Sequence, residues 1–287
     1  MDFLKDKNLI QDNLLDGKGY VKVVDIFPRI VEEGRTPEYI IAKSARVSYG
    51  QDNKTPKQDK GLIEFLIKNQ HTSPLEMCNI TFCIKAPLAI CTQILRHRTF
   101  KFNQFSQRYS EVSDDMGRME MDKDEKFLRK QSKTNHQASE MGLPNGDQVL
   151  NKIKEAEELQ KQIKEKYGEL LELGFCKELA RMYLPQATYS TLYLQADLNN
   201  LMKFLKLRCA PDAQAEVQEI ATSMYTLAKQ FFPISFGVMD NYMGASYLGK
   251  LEKKMIRERK IPEEITSKSE RKKFMDLADE LKITLDI

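Results

Sequence analysis

Cysteine is scarce in this 287-residue chain, and what there is shows no pairing pattern. The five residues, Cys78, Cys83, Cys91, Cys176 and Cys209, are odd in number and include no Cys-x-x-Cys. That argues against a zinc ribbon or a disulfide framework and suits a reducing compartment. No apolar run approaches the roughly 20 residues that a membrane span requires, and the opening Met-Asp-Phe-Leu-Lys-Asp-Lys lacks the apolar core of a signal peptide. A cytoplasmic protein with no membrane partner is expected. Charge of one sign is lacking too: 45 Lys and Arg face 42 Asp and Glu, for a net +3. Whole-protein electrostatics therefore do not call for nucleic acid. Also missing are Gly-x-Gly-x-x-Gly, the Gly-x-x-x-x-Gly-Lys-Ser/Thr phosphate loop and His-Glu-x-x-His. The common dinucleotide, P-loop and zinc-protease readings lose their support, and no metal ligands are assigned.

What is present is a soluble globular composition, 41% hydrophobic and 30% charged. Residues 20–27 are β-branched between Gly19 and Pro28 and read as a strand. Residues 37–48 and 58–69 read as helices, the second burying Leu62, Ile63, Phe65, Leu66 and Ile67. Residues 76–85 alternate, with Cys78, Ile80, Phe82 and Ile84 on one face, and predict a half-buried strand. Pro87 opens a helix predicted to run into the segment Arg96-His97-Arg98, so that Gln93, Arg96 and His97 share a face. Residues 111–148 lack periodicity and read as a surface insertion. Helices follow at 149–172, 175–182 and 199–207, with a strand at 188–194 between the last two. A long helix after Pro211 carries the stripe Val217, Ile220, Ala221, Met224, Leu227, Ala228 and Phe231. Dense Lys and Glu over 250–287 predict a solvated helical extension. The whole reads as α+β, with one main domain over 1–249 and a charged extension over 250–287.

Chemistry concentrates between Arg96 and Tyr109, where the chain reads Arg-His-Arg-Thr-Phe-Lys-Phe-Asn-Gln-Phe-Ser-Gln-Arg-Tyr. Guanidinium is a planar, permanently charged fork that binds phosphate bidentately, and aromatic faces suit a flat heterocycle. The segment asks for a ligand with phosphates and rings. A solvated basic face, or a patch for single-stranded nucleic acid, uses the same residue types. Ser106 has no base placed by sequence to activate it, so it is assigned to binding and not to covalent catalysis.

Arg-His-Arg, seven residues, then Ser resembles the signature of the flavin-dependent thymidylate synthases, the ThyX family. Further matches are Gln93 three residues before Arg96, His71-Thr-Ser-Pro-Leu-Glu76, Arg181 in Ala-Arg-Met-Tyr-Leu-Pro, and Arg208 in Leu-Arg-Cys-Ala-Pro-Asp. The resemblance covers about residues 20–240. It implies a ThyX-type fold with a central antiparallel sheet and flanking helices, a homotetramer, and sites assembled from several subunits. It implies FAD held by Ser73, Arg96, His97, Arg98, Gln104, Asp197, Asn199 and Lys203, with His71 near flavin and folate. It implies dUMP held by Gln93, Arg96, Gln104, Phe105, Ser106, Gln107 and Arg108, with Arg181 gripping the phosphate from a neighbouring subunit. Arg208 is the implied catalytic residue, facing the pyrimidine edge and stabilising an ionised N3. The chemistry is sound, because a fixed cation beside uracil favours the anionic form that makes C5 nucleophilic. The implied reaction is reductive methylation of dUMP to dTMP, with methylenetetrahydrofolate as one-carbon donor and NADPH as reductant. Lys101, Gln104, Asp197 and Lys203 depart from the commonest family residues. They leave open a related hydroxymethylase that omits the final reduction. A non-catalytic nucleic-acid binder is the other alternative.

Overall fold

A computed structural model describes residues 7–50, 54–112, 117–121, 124–133, 139–143, 145–241 and 249–285. Contacts group the chain into two units, Met1–Met243 and Gly244–Ile287.

The first unit begins with the antiparallel strands β1 (Ile10–Leu14) and β2 (Gly19–Phe27). The turn between them carries Gly17 at φ 90, a conformation that glycine adopts without penalty. Helices α1 (Tyr39–Arg46) and α2 (Pro56–Lys68) follow. A capping box starts α2: Thr55 Oγ1 accepts from Gln58 N–H and Gln58 Oε1 accepts from Thr55 N–H. Its buried residues are Asp59, Ile63 and Leu66, whereas Phe65, expected on the buried side, is exposed. Ser73–Met77 form a short 3-10 turn with Pro74 in its first positions, so strand β3 (Asn79–Pro87) starts three residues later than expected.

Helix α3 (Leu88–Ile94) is seven residues long and stops before the arginines. Strand β4 (Lys101–Gln104) comes next. The described parts of 111–148 are more ordered than an unpatterned sequence suggested. They include a bridge between Arg118 and Thr188 and a hairpin of β5 (Arg129–Gln131) with β6 (Ser139–Met141). Met119 is buried, and its N–H donates to Ala187 C=O at 2.9 Å. Residues 113–116, 122–123, 134–138 and 144 of that stretch, like 1–6 of the N-terminal segment, lie outside the described residues.

Helix α4 (Gly146–Glu172) is long and buries only Glu157 and Tyr167. Glu157 pairs with Arg118, which ties the insertion to it. A single turn, α5 (Lys177–Ala180), precedes the strand β7 (Tyr189–Asp197). Then come α6 (Leu198–Arg208), α7 (Ala215–Lys229) and α8 (Pro233–Asp240). Buried Glu38 closes the start of α8 by accepting from Ile234 N–H, Ser235 N–H and Ser235 Oγ–H at 2.7–2.8 Å. Burial pushes its carboxyl upward, against those bonds.

The sheet order is β1-β2-β3-β7-β4, antiparallel throughout. Cross-strand partners share a face. On one face Ile80–Ala196, Phe82–Leu194 and Ile84–Leu192 stack in register and form one apolar core with Leu201, Phe204, Val217, Ile220 and Met224 of α6 and α7. Every residue of the predicted stripe from Val217 to Phe231 is buried. The opposite face carries Thr81, Gln195, Lys101 and the exposed Tyr193. Because β3 is the central strand, Cys83 and Lys85 are buried as well, and the strand is not half-buried at that end.

The second unit holds α9 (Lys250–Glu258) and α10 (Lys268–Glu280). The expected solvated extension has a small core of its own, in which Met255, Ile265, Phe274 and Ala278 are buried together. Ser267 caps α10 by accepting from Glu270 N–H. Among the described residues, no helix is long and apolar enough to cross a membrane.

Candidate active site

The Arg96–Arg98 segment is a series of tight turns and not a helical face. His97 N–H donates to Ile94 C=O, Arg98 N–H to Arg96 C=O and Phe100 N–H to His97 C=O, all at 3.1 Å. No proline or glycine marks the break. The chain turns because Phe100, 6% exposed, drops into the core against Phe204 of α6, ring centroids 5.4 Å apart. His97 follows it inward: its ring stacks on Phe100 and meets Phe204 edge-on at 4.7 Å. Arg96 and Arg98 are left exposed on either side, and neither guanidinium is paired with a described residue. The expected common face of Gln93, Arg96 and His97 does not form. Gln93 instead donates to Gln214 Oε1, and Gln214 Nε2 donates to Glu216 at 2.7 Å.

Arg208, the last residue of α6, donates its Nε–H to His97 Nε2 at 3.1 Å. Arginine has no acceptor, so Nε2 must offer its lone pair and the ring proton sits on Nδ1. Burial and the Arg208 charge both push the His97 pKa below its ordinary value.

Beyond β4 lies the second group. Phe105 N–H donates to Thr191 C=O at 2.8 Å, extending the strand pairing into the loop. Ser106 Oγ accepts from Arg108 N–H at 3.4 Å, and no base lies on it among the described residues. Gln107 is buried with Nε2 unpaired. Arg108 is exposed and pairs with Glu178 at 3.1 Å, while Arg181 donates Nε–H to the Glu178 carbonyl at 3.3 Å. One chain thus brings Arg108 and Arg181 to the same residue of α5. Sequence reasoning missed Glu178; its only signal was a carboxylate three positions before Arg181 on a helical turn.

The remaining expected residues fall near the start of β3 and the end of β7. His71 N–H closes α2 by donating to Leu66 C=O at 2.9 Å, with Gln70 at φ 58, and its ring meets Phe65 edge-on at 5.8 Å. Ser73 is exposed. Asp197 caps α6 by accepting from Asn200 N–H at 2.9 Å and Asn200 Nδ2 at 2.7 Å. Asn199 is buried and Lys203 exposed. Gln104 donates to Ser190 Oγ at 3.1 Å, and Lys101 to Gln195 at 3.2 Å.

The donor set fits a phosphate-bearing, planar cofactor. Two guanidiniums with no partner among the described residues flank the His97–Phe100–Phe204 aromatic cluster, and a buried amide donor stands unsatisfied in the neighbouring loop. Cysteine chemistry has no such support. All five cysteines are free, and burial pushes the Cys91 thiol up to about 12 and Cys78 and Cys209 upward as well.

Fold and site together define an α+β protein with arginines gathered at its sheet edge and at a helix end. The family model described as "Thymidylate synthase complementing protein" matches residues 29–234. A flavin-dependent thymidylate synthase of Dictyostelium discoideum is 36% identical over 242 residues, covering 83% of this chain and 77% of that protein. One from Thermus thermophilus is 36% identical over 250 residues, 86% and 85% of the two chains. Among solved structures, the UMP/dUMP methylase PolB from Streptomyces cacaoi, bound with 5-Br dUMP, superposes with a TM-score of 0.65 at 28% identity, over 80% of this chain and 97% of that one. The chain belongs to the flavin-dependent thymidylate synthase family.

Proposed function

We propose that this chain catalyses the reductive methylation of dUMP to dTMP, taking the carbon from methylenetetrahydrofolate and reducing equivalents from NADPH through FAD. The observation that carries the reading is Arg208, fixed by His97 beside the Arg96–Arg98 turn. Its Nε is spent on the imidazole, which leaves the Nη edge to face the pyrimidine. There a fixed cation stabilises negative charge as N3 gives up its proton, and C5 becomes the stronger nucleophile. Arg96 and Arg98 hold phosphate oxygens of the cofactor, and bound flavin supplies hydride transfer that no side chain offers. Ser106 Oγ and the loop amides position the nucleotide, and Arg108 and Arg181 hold its phosphate.

The two groups of residues stand at opposite ends of β4 in one chain. Four strand residues span ~13 Å. That separation supports a site shared between subunits, with the turn from one chain and the loop from another, as a homotetramer provides. Free cysteines support a cytoplasmic setting.

The visible spectrum of the purified protein, followed by the product mass under turnover, tests the reading. A flavin band and a product heavier than dUMP by one methylene are expected. A protein that stays colourless after incubation with FAD would contradict it, and a hydroxymethylated product would point to the hydroxymethylase.

A further inference from the structure

We infer that His97 is a positioning residue for Arg208. The inference rests on the proposed role of Arg208 at the pyrimidine. His97 points its Nε2 at Arg208 Nε and its ring edge at Phe204, with Phe100 stacked alongside. Its side chain is turned inward, while Arg96 and Arg98 on either side are exposed. Two aromatic contacts of the His97 ring and one hydrogen bond therefore fix a guanidinium that stands at a helix end, where it would otherwise sample many rotamers.

Only neutral His97 can do this. A protonated ring would set an N–H donor against the Arg208 Nε–H and a second cation beside the first. Arg208 from α6 is the charge that faces the ring. Arg96 and Arg98 flank it along the chain, Lys203 on α6 is exposed, and among the described residues no carboxylate favours the charged form of the ring. As pH falls through the depressed pKa of His97, the acceptor disappears and Arg208 is released. Turnover should therefore fall on the acid side through a group titrating below the ordinary 6.5 of histidine.

The variants are His97→Phe, which keeps the aromatic packing and removes the acceptor, and His97→Gln, which can present a non-titrating acceptor. His97→Phe should retain flavin at wild-type occupancy and lower kcat roughly 10- to 100-fold, the scale of a misplaced catalytic group. His97→Gln should recover most of that loss and remove the acid limb of the kcat profile. In an Arg208→Ala background, His97→Phe should have no further effect on kcat, because it acts through the missing guanidinium. A readout independent of bound flavin is the proton NMR titration of the chain's three histidines: His97 should titrate higher in Arg208→Ala than in the wild type. Loss of flavin from His97→Phe in step with activity would overturn the inference, as would multiplicative loss in the double variant or a His97 titration indifferent to Arg208. A wild-type protein that takes up neither flavin nor dUMP would instead remove the reading beneath it, while the NMR comparison would still report the contact.

Discussion

The turn at Arg96–Arg98 and the loop at Ser106–Arg108 belong to one fourteen-residue segment, yet they are held in opposite ways. The turn is anchored by packing: Phe100 and Phe204 are buried, His97 is wedged between them, and Arg208 is fixed to His97. The loop is anchored by a surface ion pair, since the Arg108 and Glu178 side chains are 54% and 52% exposed. Such pairs contribute about 0–1 kcal/mol. A phosphate that forms charge-assisted bonds with the same guanidinium gains about 1.5–3 kcal/mol and can displace the carboxylate. On the proposed reading, the arginine that stabilises transition-state charge has its geometry set before substrate arrives, and the arginine that holds a phosphate is kept only loosely.

Substitution should separate the two regions. Phe204→Ala removes a fully buried ring under both His97 and Phe100. It should cost about 3–5 kcal/mol of stability by chemical denaturation. Tyr109→Ala, at an exposed position of the loop, should stay within about 0.5 kcal/mol. Comparable losses at both positions would erase the distinction.

Next in size is Arg208→Ala. Removing a preorganised charge from the developing anion should lower kcat by about 10²–10³ with little change in the KM for dUMP. Arg208→Lys should recover only part of it, because a lysine has no Nε–H to hold His97 while an Nη edge faces the ring. A lysine variant at full activity would show that charge alone suffices. The smallest effect belongs to the loop. Glu178→Gln frees Arg108 and should lower the KM for dUMP by no more than about fivefold, the scale of one exposed pair. A large rise in KM would mean that Glu178 orients the arginine instead of competing with phosphate.

The family was legible because guanidinium, hydroxyl and amide groups at fixed spacings carry its resemblance, and the central helices because their stripes repeat every three to four residues. Their surroundings were not legible. Helix α3 ends at Ile94 with no local breaker; Phe100 and His97 dock onto α6, a contact more than a hundred residues distant in sequence. Strand β4 has only four residues and gains its identity from pairing with β7. Helix α8 starts where Glu38, nearly two hundred residues earlier, supplies the acceptors. The short core of the second unit rests on four side chains scattered among lysines and glutamates, too sparse to read as a stripe.

On the proposed reading turn and loop serve different copies of the site, and subunit exchange tests this directly. Arg181→Ala and Arg208→Ala chains, each impaired alone, would be mixed and allowed to exchange, with exchange verified by native mass spectrometry. A site between unlike chains then carries both arginines in one of its two arrangements, so dTMP formation should reappear in the mixture. Verified exchange without recovered activity, or full activity in a strictly monomeric wild-type protein by sedimentation, would contradict the account.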